Sequence, residues 1–363
     1  MIKVCGTNIY YQIDEHSNCK SAFGGRCISP PTPISFAASS VSSLSSYLNH
    51  TVIVARDGEA YGIGDNSDGR ISVNLPLCLL NRFTRINIYD QNNKKCFVIS
   101  AVCGANYTLY LIRIEGDDKT HLAYSSKPLR TRFPAILNTG NSNLISLFGG
   151  IYTSAAVDSE GGVLFVSNSI SSQLERQLEV YRLPSNDKVV NVVCCNNYTL
   201  VLGKSGKVFI SPDDDHWSNF SVVSELENMI IKNISGISDH CFVVSNDGKV
   251  FGRGENFQGC LGIGKDGDVF EEFTYISPLE KYTIQEVFAA PSHTFFRKRK
   301  GMLLACGDNH YGQLAVDGPP NEEIYPVVET TIKNSTFCVI GCDTSFIFIE
   351  CDAPQSPNRK IMS

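Results

Sequence analysis

One residue slot recurs seven times along the chain. Thr51, Thr108, Thr153, Thr199, Cys241, Thr294 and Ser345 each sit at the start of a short apolar run, and successive slots lie 57, 45, 46, 42, 53 and 51 residues apart by subtraction. A period near fifty restricts the fold to a propeller or solenoid, because each unit can bury its apolar face only against its neighbours. The cleanest copy is Asp239 to Gly264, DHCFVVSNDGKVFGRGENFQGCLGIG. Within it, Cys241 to Ser245 reads as a strand, Asn246-Asp247-Gly248 as a tight turn and Lys249 to Gly252 as the returning strand. Gly252, Gly254, Gly259, Gly262 and Gly264 exclude a helix downstream and mark a loop whose backbone can bond to Glu255, Asn256 and Gln258. The turn glycine recurs as Gly58, Gly116, Gly161, Gly206, Gly248 and Gly301. Repeats that open on hairpins build β blades.

The two ends of the chain carry complementary fragments of this unit. Lys3 to Asn8 matches the outer-strand and Gly-x-Asn part of the unit, whereas Val339 to Asp352 supplies only its inner strands. The expected fold is therefore all-β, a seven-bladed β-propeller in which Lys3 to Asn8 and Val339 to Glu350 share one blade and leave no open edge around the ring. The expected organisation is a single propeller over residues 1–352 and a flexible tail over 353–363. Ser21 to Ser46 is rich in Ser, Pro and Gly, and with Pro30, Pro31 and Pro33 it reads as a long surface loop between blades. The second, third and fourth copies keep the hairpin but have Ser125-Ser126, Ser167-Asn168 and Ser211-Pro212 in place of Gly-x-Asn, so their outer strands are the least defined. Ser171 to Tyr181 spaces Leu174 and Leu178 four apart and reads as an inter-blade helix or as a strand and loop.

GRGENFQGCLGIG (252–264), CGDNHYGQL (306–314) and GIGDNSDGRIS (62–72) resemble the repeats of the regulator of chromosome condensation family. The resemblance covers nearly the whole chain by periodicity and implies a seven-bladed propeller. It marks Gly252, Gly254, Gly259, Gly307 and Gly312 as repeat structural glycines.

Composition narrows partner and compartment. A hydrophobic content of 42% and a charged content of 19% suit a globular core, and a net charge of −6 gives no global attraction to nucleic acid or anionic membrane, so neither is an expected partner. MIKVCGTNIYYQ lacks a signal-peptide apolar run and no later stretch approaches bilayer length, which places the expectation in the cytoplasm or nucleus. There the sequons at Asn49, Asn106 and Asn197 go unmodified. The 14 cysteines are scattered, often at strand positions such as Cys103, Cys241 and Cys338, and none forms Cys-x-x-Cys metal spacing. They read as reduced packing residues, with no metal or cofactor expected.

No constellation for covalent catalysis stands out. Gly259 to Lys265 has the glycine and lysine spacing of a phosphate loop, but Asp266 occupies the place of the required hydroxyl residue and the context is a blade loop. Asp213-Asp214-Asp215-His216 lacks the glycine and distal glutamate of a calcium loop and reads as a solvated turn. Arg297-Lys298-Arg299-Lys300 is the only dense basic run; it reads as an exposed hairpin turn, or as a basic patch for import or anion binding. His50, His240 and His293 precede the slot in three copies, where the others have Tyr107, Tyr152, Tyr198 and Thr344. A position repeated in this way serves structure, with a ring nitrogen bridging neighbouring backbone.

One residue earlier stand Asn49, Asn106, Ile151, Asn197, Asp239, Ser292 and Asp343, which should ring one face. In the family that this chain resembles, an acidic residue before the repeat histidine contributes to the face engaging a small GTPase, and Asp239-His240 is similar to that pair. Asp343 falls at the same slot. Asn49, Asn106, Asn197, Asp239, Ser292 and Asp343 are thus candidate partner-binding residues, against the simpler reading of turn-capping side chains. The function this supports is a monomeric protein-interaction propeller that binds a protein partner through loops on one face. The alternative implied by the resemblance is a guanine-nucleotide exchange factor for a Ran-like small GTPase, acting by differential binding without covalent steps.

Overall fold

The apolar run at each of the first six slots is largely buried on both sides, which is why it reads as a continuous hydrophobic stretch instead of an alternating one. Phe242, Val243 and Val244 are each fully buried. The computed structural model describes residues 2–8, 19–20, 26–33, 40–126, 133–168, 177–212, 220–263, 266–317, 324–341 and 344–349. Among them the slot runs form the second strands of seven antiparallel sheets: His50–Ala55, Thr108–Ile114, Thr153–Asp158, Tyr198–Gly203, His240–Ser245, His293–Lys298 and Thr344–Ile349. The returning strands are the third of each sheet. Before each slot lies an innermost strand with no motif of its own: Val41–Tyr47, Lys95–Cys103, Leu144–Phe148, Val189–Cys194, Ile231–Ile237, Ile284–Ala289 and Ser335–Ile340. Each innermost strand contacts the next in the series, and the seventh contacts the first. The sheets therefore stand as blades around a closed ring, and the core is divided into clusters between neighbouring blades. Phe242 and Val244 of the fifth blade, for example, meet Val287, Phe296 and Leu304 of the sixth.

The closing blade joins the ends as the sequence predicts. Ile2–Thr7 pairs with Thr344–Ile349, with Val4 opposite Phe346 and Gly6 opposite Thr344. The Ser21–Ser46 stretch corrects the expectation of one long loop. Arg26–Pro33 is the fourth strand of the seventh blade, and Val41–Tyr47 is the innermost strand of the first. The prolines are tolerated because the register slips between the pairs Val4–Thr32 and Gly6–Ile28, leaving a bulge over residues 29–31. Beyond them, Cys19–Lys20 pairs only with Cys27 and Arg26, so Pro30, Pro31 and Pro33 lie at an edge where no N–H is needed.

The three blades without Gly-x-Asn have the shortest outer strands: Ala135–Leu137 in the second and Ser221–Val222 in the fourth. In the third, a single bridge joins Val163 to Tyr181. Residues 177–181 are extended, with the Leu178 N–H donating to the Asn138 carbonyl; the helix reading fails over these positions, and Leu174 lies outside the described residues. The tail 353–363 and Asp213 to His216 also lie outside them.

Gly-x-Asn owes its form to a close approach. Gly254 has φ +105°, and a Cβ there would stand 2.0 Å from the Asp239 carbonyl oxygen, which accepts the Glu255 N–H at 3.0 Å. Gly307 repeats the arrangement against Ser292. The buried asparagine that follows pins the loop: the Asn66 amide donates to the Ser72 and Pro76 carbonyls, and its oxygen accepts the Ile71 and Ser72 N–H groups. Asn256 accepts from Leu261 and Asn309 from Leu314 in the same way. Gly252 lies 3.1 Å from the Leu261 side chain by the same measure, while Gly259 and Gly312 take positive φ in the two loops.

Candidate functional site

The turns that join innermost to second strands all lie at one end of the ring, since every blade runs in the same sense. They carry the candidate positions. Asn106 and Asn197 are exposed, Asn49 and Asp239 are half-buried, and Ser292 is buried, with its hydroxyl against His293 Nδ1 at 3.4 Å. Ser292 therefore does not present its side chain on this face, which corrects its inclusion among the candidates. Asp343 lies outside the described residues.

The half-buried members are held by neighbours. Asn49 donates to the Asp65 carboxylate at 3.0 Å and accepts from Arg70 at 2.6 Å, and Arg70 also chelates Asp68. The Asp239 carboxylate accepts from Asn196, Asn197 and Ser238, each at 3.0 Å. Its acceptors are thus occupied by side chains, two of them from the preceding blade, and not by the backbone N–H groups of a turn cap.

Asp239 borders an open groove of about 630 Å³ between the fourth and fifth blades, lined also by Tyr198, Arg253, Glu255, Glu271 and Glu272. The Arg253 guanidinium lies 5.5 Å from the Tyr198 ring centroid and 5.9 Å from that of Phe273. Carboxylates outnumber the single guanidinium, so the groove favours a cationic partner surface. Tyr152, 53% exposed, adds an aromatic side chain on the same end of the ring at the third blade; the hydrophobic pattern gave no sign of it, because Tyr at this position is buried in the second blade.

The first of the repeated histidines ties its blade to the next, through the Thr108 side chain and the Tyr107 backbone. His50 Nε2 lies 3.2 Å from Thr108 Oγ1, the slot residue of the next blade. Because Thr108 donates its hydroxyl to the Arg70 carbonyl, His50 must donate from Nε2. Tyr198 donates to the slot residue Cys241 at 3.3 Å, and Tyr107 bonds Ser154, one position past the slot, at 2.7 Å. Burial lowers His50 to about 3, helped by the nearby Arg70 guanidinium, and lowers His240 to about 4. Both are neutral at physiological pH and too deep for chemistry with a ligand.

The basic run divides. Arg297 is paired with Glu286 at 2.7 Å, and Lys298 with Glu329 at 3.0 Å. Only Arg299 and Lys300 are exposed. Beside the Gly259–Lys265 run, the Gln258 N–H donates to the Asp266 carboxylate, whose negative charge is unfavourable for a phosphate. Among the described residues no group of His, Cys, Asp and Glu could hold a metal, and no helix is long and apolar enough to cross a membrane.

Residues 41–70 match the regulator of chromosome condensation (RCC1) repeat. The mouse secretion-regulating guanine nucleotide exchange factor is 33% identical over 109 residues, covering 30% of this chain and 23% of the relative. The chain thus spans under a quarter of that relative's length. Human WBSCR16 superposes with a TM-score of 0.72 at 13% identity, over 96% of this chain and all of that one. Prp20p of Saccharomyces cerevisiae, solved in a study of its binding to Gsp1p and histones, gives a TM-score of 0.70 at 15% identity, over 97% and 92% of the two chains. The chain resembles this family in repeat sequence and in fold.

Proposed function

We propose, starting from the fold of the regulator of chromosome condensation family, that this chain is a protein-interaction β-propeller that docks a protein partner on the end of the ring carrying Asn106, Tyr152, Asn197 and Asp239. The observation that carries this reading is the acidic groove beside Asp239, open to solvent and lined by Glu255, Glu271 and Glu272. It offers an open shape and negative charge, which suit a basic surface of a partner protein. Asp343, equivalent to Asp239 in the repeat, is included in this proposal on sequence alone.

A second reading is guanine-nucleotide exchange on a Ran-like small GTPase, favoured by the names of the mouse relative and by the Prp20p study of Gsp1p binding. Exchange requires only that the propeller bind the nucleotide-free partner more tightly than the loaded one. Capture with nucleotide-free small GTPases separates the readings. Recovery of a GTPase that GTP releases supports exchange, whereas a nucleotide-insensitive partner supports a scaffold.

Asp239→Asn keeps the shape of the site and removes one charge. Association should weaken by about 1–3 kcal/mol, tenfold or more, if the carboxylate meets a basic surface. The thermal midpoint should move by no more than a few degrees. A variant that binds normally and melts much lower would assign Asp239 to the join between blades alone.

A further inference from the structure

The opposite end of the ring carries the turns between second and third strands, and one of them departs from its sisters. In five of the six described glycine turns the residue before the glycine is Asp57, Glu115, Glu160, Ser205 or Asp247, and only the glycine has positive φ. In the sixth that residue is Lys300, preceded by Arg299, and Lys300 itself is left-handed, with φ +63° next to Gly301 at φ +70°. A β-carbon in that conformation costs about 1 kcal/mol or more relative to glycine. The chain thus reverses the charge found in four sister turns and holds a cation in a conformation that glycine or asparagine would adopt more cheaply, a departure that points to function and not to folding.

The surroundings extend the positive surface. Gly301 packs against Asn334 and Ser335, and the Ser335 hydroxyl donates to the Gly301 carbonyl at 2.8 Å, which brings the turn beside exposed Lys333. Lys298 Nζ stands 4.4 Å from the Tyr282 ring centroid and Lys281 Nζ 5.0 Å from it. Glu329 is the carboxylate shared by this group, its acidity strengthened first by Lys298 and then by Lys281 and Lys333. Arg299, Lys300, Lys281 and Lys333 make no ion pair among the described residues, so their charge is available to a partner.

We infer that this turn and its flanking segments form a docking surface for an acidic, extended segment of a partner protein, with Tyr282 as an apolar floor. Charge complementarity argues for an anion. The patch is one blade wide on a chain of net charge −6, which suits a short peptide better than a nucleic acid or a bilayer, whose long-range field the rest of the chain would oppose. This surface is independent of the groove beside Asp239, and neither reading depends on the other.

The test uses the full chain and a fluorescein-labelled nonapeptide of alternating glutamate and glycine, followed by anisotropy. The double variant Arg299→Gln, Lys300→Asn removes both charges, and asparagine accepts the left-handed backbone at position 300. The control is Lys204→Gln, Lys207→Gln, which neutralises two exposed lysines flanking the fourth-blade turn at the same end. The wild type should bind saturably and more weakly as salt rises, with affinity falling about tenfold in the double variant and less than about twofold in the control. Equal loss in both variants would overturn the proposal by reducing it to overall charge. So would tighter binding of a DNA duplex or phosphatidylserine vesicles with the same dependence on Arg299 and Lys300.

Discussion

His50 shows how one side chain can serve a ring of repeats. It spends its Nε2 proton on the slot threonine of the next blade, and burial keeps it neutral. The linkage has a definite sign. Its folded pKa, about 3, lies below the ordinary value of 6.5, so only the unfolded chain takes up the proton as pH falls, and stability is lost from about pH 6.5 down towards 3. His240, lowered to about 4, acts in the same direction over a narrower window. At pH 4.5 each should withhold on the order of 2–3 kcal/mol relative to pH 7. The thermal midpoint should therefore drop steeply between pH 6.5 and 4.5, and less steeply in His50→Gln. Parallel curves for the two proteins would remove His50 from the account. Cysteines give a second residue-level expectation. The ten cysteines whose side chains are described are free, and Cys78 alone among those ten is exposed. Burial raises Cys103, Cys241 and Cys260 to about 12. Mapped alkylation of the native protein should thus label Cys78 well before the other nine.

At the scale of the element, legibility followed regularity of backbone. The second and third strands were visible in the sequence because Cys241 to Ser245 is apolar throughout and Gly248 fixes the turn. The innermost strands were not. Each of the seven pairs with its neighbour through a register shift, as between Ile231 and Asn233 or between Leu144 and Ser146. A bulge adds a residue and reverses the alternation partway along the strand, which erases the period-two signal. Arg26–Pro33 was hidden for a related reason, since proline reads as a breaker except at an edge. The glycine of Gly-x-Asn, by contrast, is specified sterically. Gly254→Ala must relieve both a φ of +105° and a 2.0 Å approach to a carbonyl oxygen, and should cost about 2–4 kcal/mol. Gly267→Ala, with φ +82° and nothing within 4 Å, should cost about 1 kcal/mol. Equal losses in denaturant unfolding would show that backbone conformation, and not the close approach, decides the position.

For the whole molecule, the count of blades could be read from the slot spacing and their closure from the complementary fragments at the two ends, while the candidate site could be read only as a ring of positions. Side-chain fates at those positions depend on neighbouring loops: Asn49 is clasped by Arg70, Ser292 is buried and Asn197 is exposed, although one repeat places all three. Closure itself makes a prediction. If Ile2–Thr7 and Thr344–Ile349 belong to one cooperative unit, their amides should exchange with solvent at similar rates, and deleting residues 1–10 should expose strand edges throughout the seventh blade and lower stability sharply. Fast exchange confined to residues 2–7, with an unchanged midpoint after deletion, would mean that the ring holds without its clasp.

That clasp also sets a clock. An early strand pairs with late ones, so Ile2–Thr7 must wait for residues 335–349 to leave the ribosome, roughly 17–70 s at about 5–20 residues per second. Throughout that interval one edge of the strand can pair with Arg26–Pro33, but the edge that will face Thr344–Ile349 has no mate, while the first six blades can already stack on one another. Synthesis therefore passes through an open crescent with one unpaired strand edge, and any chaperone that attends this chain has its longest task at that edge of Ile2–Thr7.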